Sequence, residues 1–369
     1  MLENRIRELA SQQSTGPFLS LYLDTQRGDE GGKDRLRVFL KNEKQRIRED
    51  LEGNGHDEVI EKGIRQIEAW MENDLQPETR GVAIFACPTD DVFIPLQLPV
   101  TVRPELTIGS RPHLRQLASI KRHHPRVAVA LVDAKSARLF DLEFGQVLRE
   151  VDLMDATVPR RHEQGGWSQA NMQRHVQDHI DRHHKEVAEA LGRMVEGGHF
   201  EHVILSGQDR NLANFRGYLS KRVDERVIGS LHLDIRSSAD EVAKAAAEIV
   251  EVAEKQRLTR ELEALETAAR SAGRGVLGFA ATVDAANQRR LQHLFLSENA
   301  TARGWRCTSC GTLGQAIPVG CPACGEAVVT VELVEELISA AQLEDATLDF
   351  VGLETSLDQA EGVGAILRF

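Results

Sequence analysis

The chain has 369 residues, enough for two or three domains that each bury a core of their own. Apolar residues make up 41% and charged residues 28%, and no apolar run approaches the roughly 18–20 residues of a membrane span. A net charge of −12 excludes a general polyanion binder, so any nucleic-acid contact must come from a local basic surface.

In chain order, residues 3–13 have the pattern of a short helix, and 18–23 alternate as a strand that stops at Asp24-Thr25. A glycine- and charge-rich loop over 26–33 precedes a helical pattern over 34–51, and a second helix spans 58–73. Residues 81–87 form a buried-strand run, with 91–96 as its hairpin partner. This predicts an N-terminal α/β domain over 1–125. Its tail carries Arg103, Arg111, Arg115, Lys121, Arg122 and Arg126 against the single acid Glu105. Such a run is either a solvated helix face or a phosphate-backbone contact.

The central domain is expected over 126–268. Strands are predicted at 127–132, 137–144 and 147–153, the first two buried, and the third leads into a loop. That loop reads Arg160-Arg161-His162-Glu163-Gln164-Gly165-Gly166-Trp167-Ser168-Gln169. Adjacent glycines cannot hold a helix, whereas Ser168 is a good N-cap for the long polar pattern that follows to about residue 194. The loop offers only Trp167 for burial, so it is read as a tip that reaches an anionic partner. A strand at 202–206, a helix at 211–221, a strand at 229–234 and a long helix at 239–268 complete the domain; Ser238 and Glu241 have the spacing of a capping box. Strands alternating with helices imply a mixed or parallel sheet with helices packed on it.

The third domain, 269–369, is also read as α/β. It contains a weak segment at 274–280, a helix at 283–290, a strand at 291–296, a helix at 332–341, a mixed segment at 346–353 and a closing strand at 362–369. Within it, about 302–329, lie Cys307-Thr-Ser-Cys310 and Cys321-Pro-Ala-Cys324, ten residues apart and each followed by glycine. Four thiolates at this spacing suit a closed tetrahedral Zn²⁺ site with a structural role. Four of the five cysteines thus belong to metal rather than to disulfides, which implies a reducing cytoplasm; the opening Met-Leu-Glu-Asn-Arg has no apolar signal core. Cys87 is expected to be a buried strand residue.

His175, His179 and His183 recur at helical spacing, with His184 adjacent. They lack the glutamate of a metalloprotease pattern, so the expected role is a polar face that acquires charge near an anion, together with Arg174, Arg182 and Lys185. Gln169 has no useful pKa and cannot be a base, but its amide and its backbone N–H can orient a water or an oxyanion.

These residues resemble a known superfamily, the archaeal and eukaryotic class I peptide release factors and Pelota. The resemblance rests on Gly165-Gly166 before a long helix, on Ala170 to His175 at its start and 183–190 as its continuation. In the third domain it rests on Leu296-Ser297-Glu298, the four cysteines and the final Gly362-Val363-Gly364-Ala365-Ile366-Leu367-Arg368. It implies three-domain architecture and action at the ribosomal A site and peptidyl transferase centre. The partners implied are rRNA, peptidyl-tRNA and a candidate translational GTPase, with no membrane. The role would be hydrolysis of peptidyl-tRNA, with Gln169, Gly165 and Gly166 as the catalytic set. Trp167, Arg160, Arg161, Arg174, His175 and Arg182 would touch RNA. One departure stands out: the release factors have Gly-Gly-Gln, whereas here Trp167 follows the glycines and the glutamine lies two positions later. That favours an alternative, a non-hydrolytic A-site hibernation or rescue factor of the Balon/Pelota kind. No Asn-Ile-Lys-Ser motif supports stop-codon decoding.

Overall fold

The computed structural model describes residues 2–12, 14, 16–25, 38–43, 45–46, 57–154, 168–271, 273–352 and 355–369. They divide into two units: residues 1–123 with 261–369, and residues 124–260. The architecture is mixed α/β, as expected, with sheets flanked by helices.

In the first unit, α1 (Leu2–Ser11) precedes β1 (Phe18–Asp24), then α2 (Asp57–Asn73), β2 (Gly81–Cys87), β3 (Val92–Leu98), β4 (Glu105–Gly109) and α3 (Arg115–His123). The strands form an antiparallel sheet in the order β3-β2-β1-β4. Successive side chains of a strand point to opposite faces, and here both faces are covered. Leu19, Leu21 and Leu23 pack with Ile60, Ile64 and Ile67 of α2. Phe18 and Tyr22 instead share a cluster with Ile6 and Leu9 of α1. Burial on both faces is why β1 and β2 read as unbroken apolar runs. Of the helical pattern expected at 34–51, residues 38–43 and 45–46 are helical and the rest lie outside the described residues.

The second unit contains β5 (Val127–Val132), β6 (Ser136–Glu143), β7 (Gln146–Met154), α4 (Ser168–Gly198), β8 (His202–Ser206), α5 (Asp209–Arg216), α6 (Lys221–Asp224), β9 (Val227–Leu231) and the first part of α7 (Ala239–Arg270). Its sheet order is β7-β6-β5-β8-β9, with β5, β8 and β9 parallel and β6 and β7 antiparallel. Ala128, Ala130 and Val132 face Val187, Leu191 and Val195 of α4, whereas Val127, Val129 and Leu131 share the opposite core with Val242 and Ala246 of α7. Ser238 and Glu241 form the expected capping box: Ser238 N–H donates to Glu241 Oε2 at 2.8 Å and Glu241 N–H to Ser238 Oγ at 3.3 Å.

The chain then returns to the first unit through β10 (Gly275–Leu277), α8 (Phe279–Asn287), β11 (Leu291–Ser297), β12 (Arg303–Cys307), β13 (Leu313–Gly314), β14 (Val328–Glu332), α9 (Leu333–Leu343), β15 (Thr347–Val351) and β16 (Val363–Leu367). β10-β16-β11-β15 make one sheet and β13-β12-β14 a small second one. Leu333, Leu337 and Ile338 of α9 lie in the same cluster as Ile6, Phe18 and Phe85. The N-terminal and C-terminal segments therefore share a single apolar core.

That core encloses charge. Glu335 Oε2 accepts the Leu114 N–H at 2.7 Å, and Glu335 Oε1 lies 3.3 Å from His113 Nδ1. Burial pushes the Glu335 carboxyl up to about 7, against His113 and the Leu114 amide, which pull it down. A carboxyl whose folded pKa is raised contributes stability that is complete below its unfolded pKa and is lost as pH rises through the folded one. Wild type should lose roughly 3 kcal/mol or slightly more from this group between pH 4 and pH 8. Glu335→Gln, which retains an acceptor for Leu114, should flatten that part of the profile in urea unfolding followed against pH. Parallel profiles for the two proteins would remove Glu335 as the cause.

Candidate functional site

The loop that carries Arg160, Arg161, Gly165, Gly166 and Trp167 lies outside the described residues, as do the side chains of residues 168–173, Gln169 among them. Its two mounts are described. β7 ends at Met154, and α4 starts at Ser168, the expected cap position, and runs for 31 residues, about 45 Å of helix.

The two ends of α4 differ in burial. From His183 onward the helix buries His183, His184, Val187, Ala188, Leu191 and Val195, but no residue from 174 to 182 is buried. The backbone hydrogen bonds of this forward part are supported from within the helix, for example by Gln177 donating to Asp181 across one turn at 2.8 Å. Arg174, His175 and Arg182 are exposed there, where an anionic partner can reach them.

The histidine face needs correction. His175 is exposed, whereas His183 and His184 are 2% and 0% exposed. The His184 ring sits edge-on to Phe215 at 5.7 Å and near Tyr218 at 6.4 Å. Burial, reinforced by His183, lowers the His184 pKa, so this ring is a neutral core residue and takes no part in a charged face. The next helix, α5, supplies the aromatic that covers it, and the spacing within α4 alone could not reveal that.

The basic run also proves structural. Arg111 pairs with Glu336 at 3.5 Å and Lys121 with Glu3 at 3.3 Å. Arg115 donates to the carbonyls of Ser297 and Ala300 at 3.0 and 2.8 Å. Arg122 binds Asp349, and Arg126 makes a two-pronged contact with Asp141 at 2.9 and 2.6 Å. Five of these six cations are thus committed to internal partners, and the phosphate-contact reading loses its donors. The acids they meet lie up to 227 residues away, so the local sequence shows only the excess of charge.

The four cysteines do converge. The Sγ atoms of Cys307, Cys310, Cys321 and Cys324 all lie within 4.8 Å of one another, with Cys307 to Cys324 at 3.4 Å and Cys310 to Cys321 at 3.6 Å. Metal–sulfur bonds of about 2.3 Å in a tetrahedron require sulfurs about 3.8 Å apart, so the four fit a cation with little movement. Ser309 and Cys310 N–H both donate to Cys307 Sγ at 3.4 Å. Gly311 and Gly325 take φ of +75° and +82°, where a side chain would be strained. Their amides close each knuckle onto the Cys307 and Cys321 carbonyls rather than onto sulfur. The Thr312 hydroxyl and amide bring the Cys310 thiol down to about 6. Cys324 goes the other way: the Glu326 amide lowers it, but its contacts with Cys307 and Cys310 drive it up to about 12. Four sulfurs that compete for protons in this way are a ready cation cage. Among the described residues no other group of three or more His, Cys, Asp or Glu side chains gathers in this manner. A bound ion here would be closed off by four protein ligands, and its contribution would be to hold β12, β13 and β14 together. No helix among the described residues is long and apolar enough to cross a membrane.

Residues 112–251 match the family described as bacterial archaeo-eukaryotic release factor family 10. Among solved structures, the chain is similar to an archaeal translation termination factor, aRF1, at 16% identity over 100% of this chain and 97% of that one, TM-score 0.27. It is similar to Dom34 of S. cerevisiae, at 11% identity over 78% and 79%, TM-score 0.45. It is also similar to a chain in a model of ribosome-bound archaeal Pelota and ABCE1, at 14% over 100% and 94%, TM-score 0.42. No curated protein matches the chain.

Proposed function

We propose that this chain is a ribosome-associated translation factor that carries the 165–169 loop into the peptidyl transferase centre and promotes hydrolysis of peptidyl-tRNA. The observation that carries the reading is the family match over 112–251, which contains the whole loop and all of α4. Residues 174–182 of α4, none of them buried, suit a stalk, and exposed Arg174, His175 and Arg182 suit contact with rRNA phosphate, as would Arg160 and Arg161 in the loop. In the reaction, water attacks the ester carbonyl, the ester C–O bond breaks, and the products are a peptide acid and a free tRNA hydroxyl. The Gln169 amide would hold the attacking water or the developing oxyanion, while Gly165 and Gly166 let the backbone approach the ester; removal of one such donor costs about 10²–10³ in rate. rRNA would supply the rest of the site. The ion in the cysteine cage is Zn²⁺, with a structural role, and the protein works in the cytoplasm with a translational GTPase as candidate delivery partner.

A second reading has one observation in its favour. Trp167 occupies the position where release factors carry glutamine. Stacked on an exposed base, it would contribute about 1–3 kcal/mol to binding and leave the protein a non-hydrolytic hibernation or rescue factor.

The deciding experiment is release of labelled nascent peptide from purified ribosome complexes, wild type against Gln169→Ala, with co-sedimentation of both. Hydrolysis predicts release by wild type, a loss of roughly 10²-fold in the variant, and equal sedimentation. Sedimentation without release would transfer the assignment to the second reading and to Trp167. Absence of sedimentation would overturn both.

A further inference from the structure

The central unit has a crevice that lies apart from the cysteine cage. After β5 the chain departs toward β6 on one side of the sheet, and after β8 it departs toward β9 on the other. Parallel strands whose connections diverge in this way leave a gap beyond their carboxyl ends, and α/β sheets bind small ligands there. A cavity of about 360 Å³ occupies that gap, within the size range of small-molecule pockets.

The floor is preformed. Ser206, 0% exposed, accepts the Leu233 N–H at 3.1 Å and so ties the end of β8 to the segment after β9. A Cβ on Gly207 would stand 2.4 Å from the Val132 carbonyl, so only glycine lets the two strand ends come this close. The walls divide by chemistry. Leu131, Leu233 and Ile235 supply an apolar side, and Asp133, Gln208, His232 and Asp234 supply the polar groups. Asp234 is already held by the Arg236 N–H at 2.8 Å. The Asp133 carboxylate is exposed and accepts no hydrogen bond from a described residue. Among the described residues no lysine or arginine lines the cavity, and Asp209 stands 3.9 Å from His232.

Carboxylates with no lysine or arginine among their described neighbours, and a single imidazole, His232, disfavour phosphate and accept hydrogen bonds from neutral donors. An apolar wall beside them takes a flat ring. We propose that this crevice binds a neutral ribonucleoside, with its ribose diol donating to Asp133 and its base against Leu233 and Ile235. The site is independent of the ribosome reading.

Titration calorimetry on the full chain tests it with adenosine, guanosine, cytidine and uridine. At least one should bind with a Kd of about 1 mM or tighter. Its 2′-deoxy counterpart and its 5′-monophosphate should each bind roughly tenfold more weakly, the loss expected when a hydrogen bond to a charged group is removed or opposed. Asp133→Asn should weaken the ribonucleoside by a similar factor with its thermal midpoint unchanged; the deoxynucleoside arm requires no variant. Silence from all four nucleosides would overturn the proposal. So would equal binding of the deoxynucleoside, tighter binding of the monophosphate, or binding of spermidine in their place.

Discussion

Cys310→Ser should abolish metal binding at the four-cysteine cage and unfold the segment from β12 to β14 while the central unit keeps its stability. The apolar core of this minidomain consists of Trp305, Cys307 and Cys321, with Val328 packed against them, and β13 is only two residues long. Two of those core members, Cys307 and Cys321, belong to the four-cysteine cage, so loss of an ion from it would take the core with it. Structural zinc sites of this kind carry about 10–16 kcal/mol of apparent binding energy near pH 7, and that binding energy is also folding energy. The segment is also tied to its surroundings: Leu313 joins the main apolar core, Asn287 brackets Leu313 at 2.8 and 2.9 Å, and Arg306 holds Glu336 at 3.1 Å. Metal analysis should give one zinc per wild-type chain and none in the variant. Hydrogen exchange over 303–332 and the fluorescence of Trp305 should report the unfolding. Because protons compete with the ion for thiolates, chelators should strip wild type more readily as pH falls. Unchanged protection in the variant would show that the minidomain stands without its ion.

Arg122→Ala should be the most damaging single change among the basic residues of 101–126. Asp349 is 1% exposed and has two partners, the Arg122 guanidinium and the His293 ring, the latter at 2.6 Å. Burial alone pushes its carboxyl up, but the His293 hydrogen bond and Arg122 outweigh that and hold it below the usual range. Removing Arg122 leaves a buried charge half compensated, at a cost of about 3–5 kcal/mol. Arg103→Ala, at an exposed position, should change stability by less than about 0.5 kcal/mol. Urea unfolding of the two variants side by side is the measurement. Equal midpoints would mean that Asp349 has no need of Arg122. The depressed carboxyl also sets the sign of the acid response: its stabilisation is present above the unfolded pKa and disappears as pH falls through the folded one.

Local patterns in the sequence carry much of the fold. β1, β2 and β5 show as continuous apolar runs because both of their faces are covered, and the start of α4 shows because adjacent glycines give way to a long polar helical pattern at Ser168. Pairwise cysteine spacing announces the cage, since each knuckle is built within five residues. What stays hidden depends on partners far away in the chain. β4 and α3 lie in a stretch whose charge masks its structure, and Arg111, Arg115 and Arg122 show their purpose only beside Glu336, Ser297 and Asp349. His184 looks like part of a polar stripe until Phe215 is set against it. The crevice at Asp133 and Asp234 is legible only once β5, β8 and β9 are known to be parallel.

The shared core of residues 1–123 and 261–369 has a consequence for biosynthesis. Ile6, Phe18 and Phe85 emerge first, but their neighbours Leu333, Leu337 and Ile338 are made more than two hundred residues later. At about 5–20 residues per second, the early half of that core waits some tens of seconds for its complement, with its apolar side open to misassembly. The central unit, whose strands and helices are contiguous from 124 to 260, completes itself during that interval. The last-made segment therefore closes the first-made one, and a nascent chain cut short before α9 would present an apolar sheet face to chaperones.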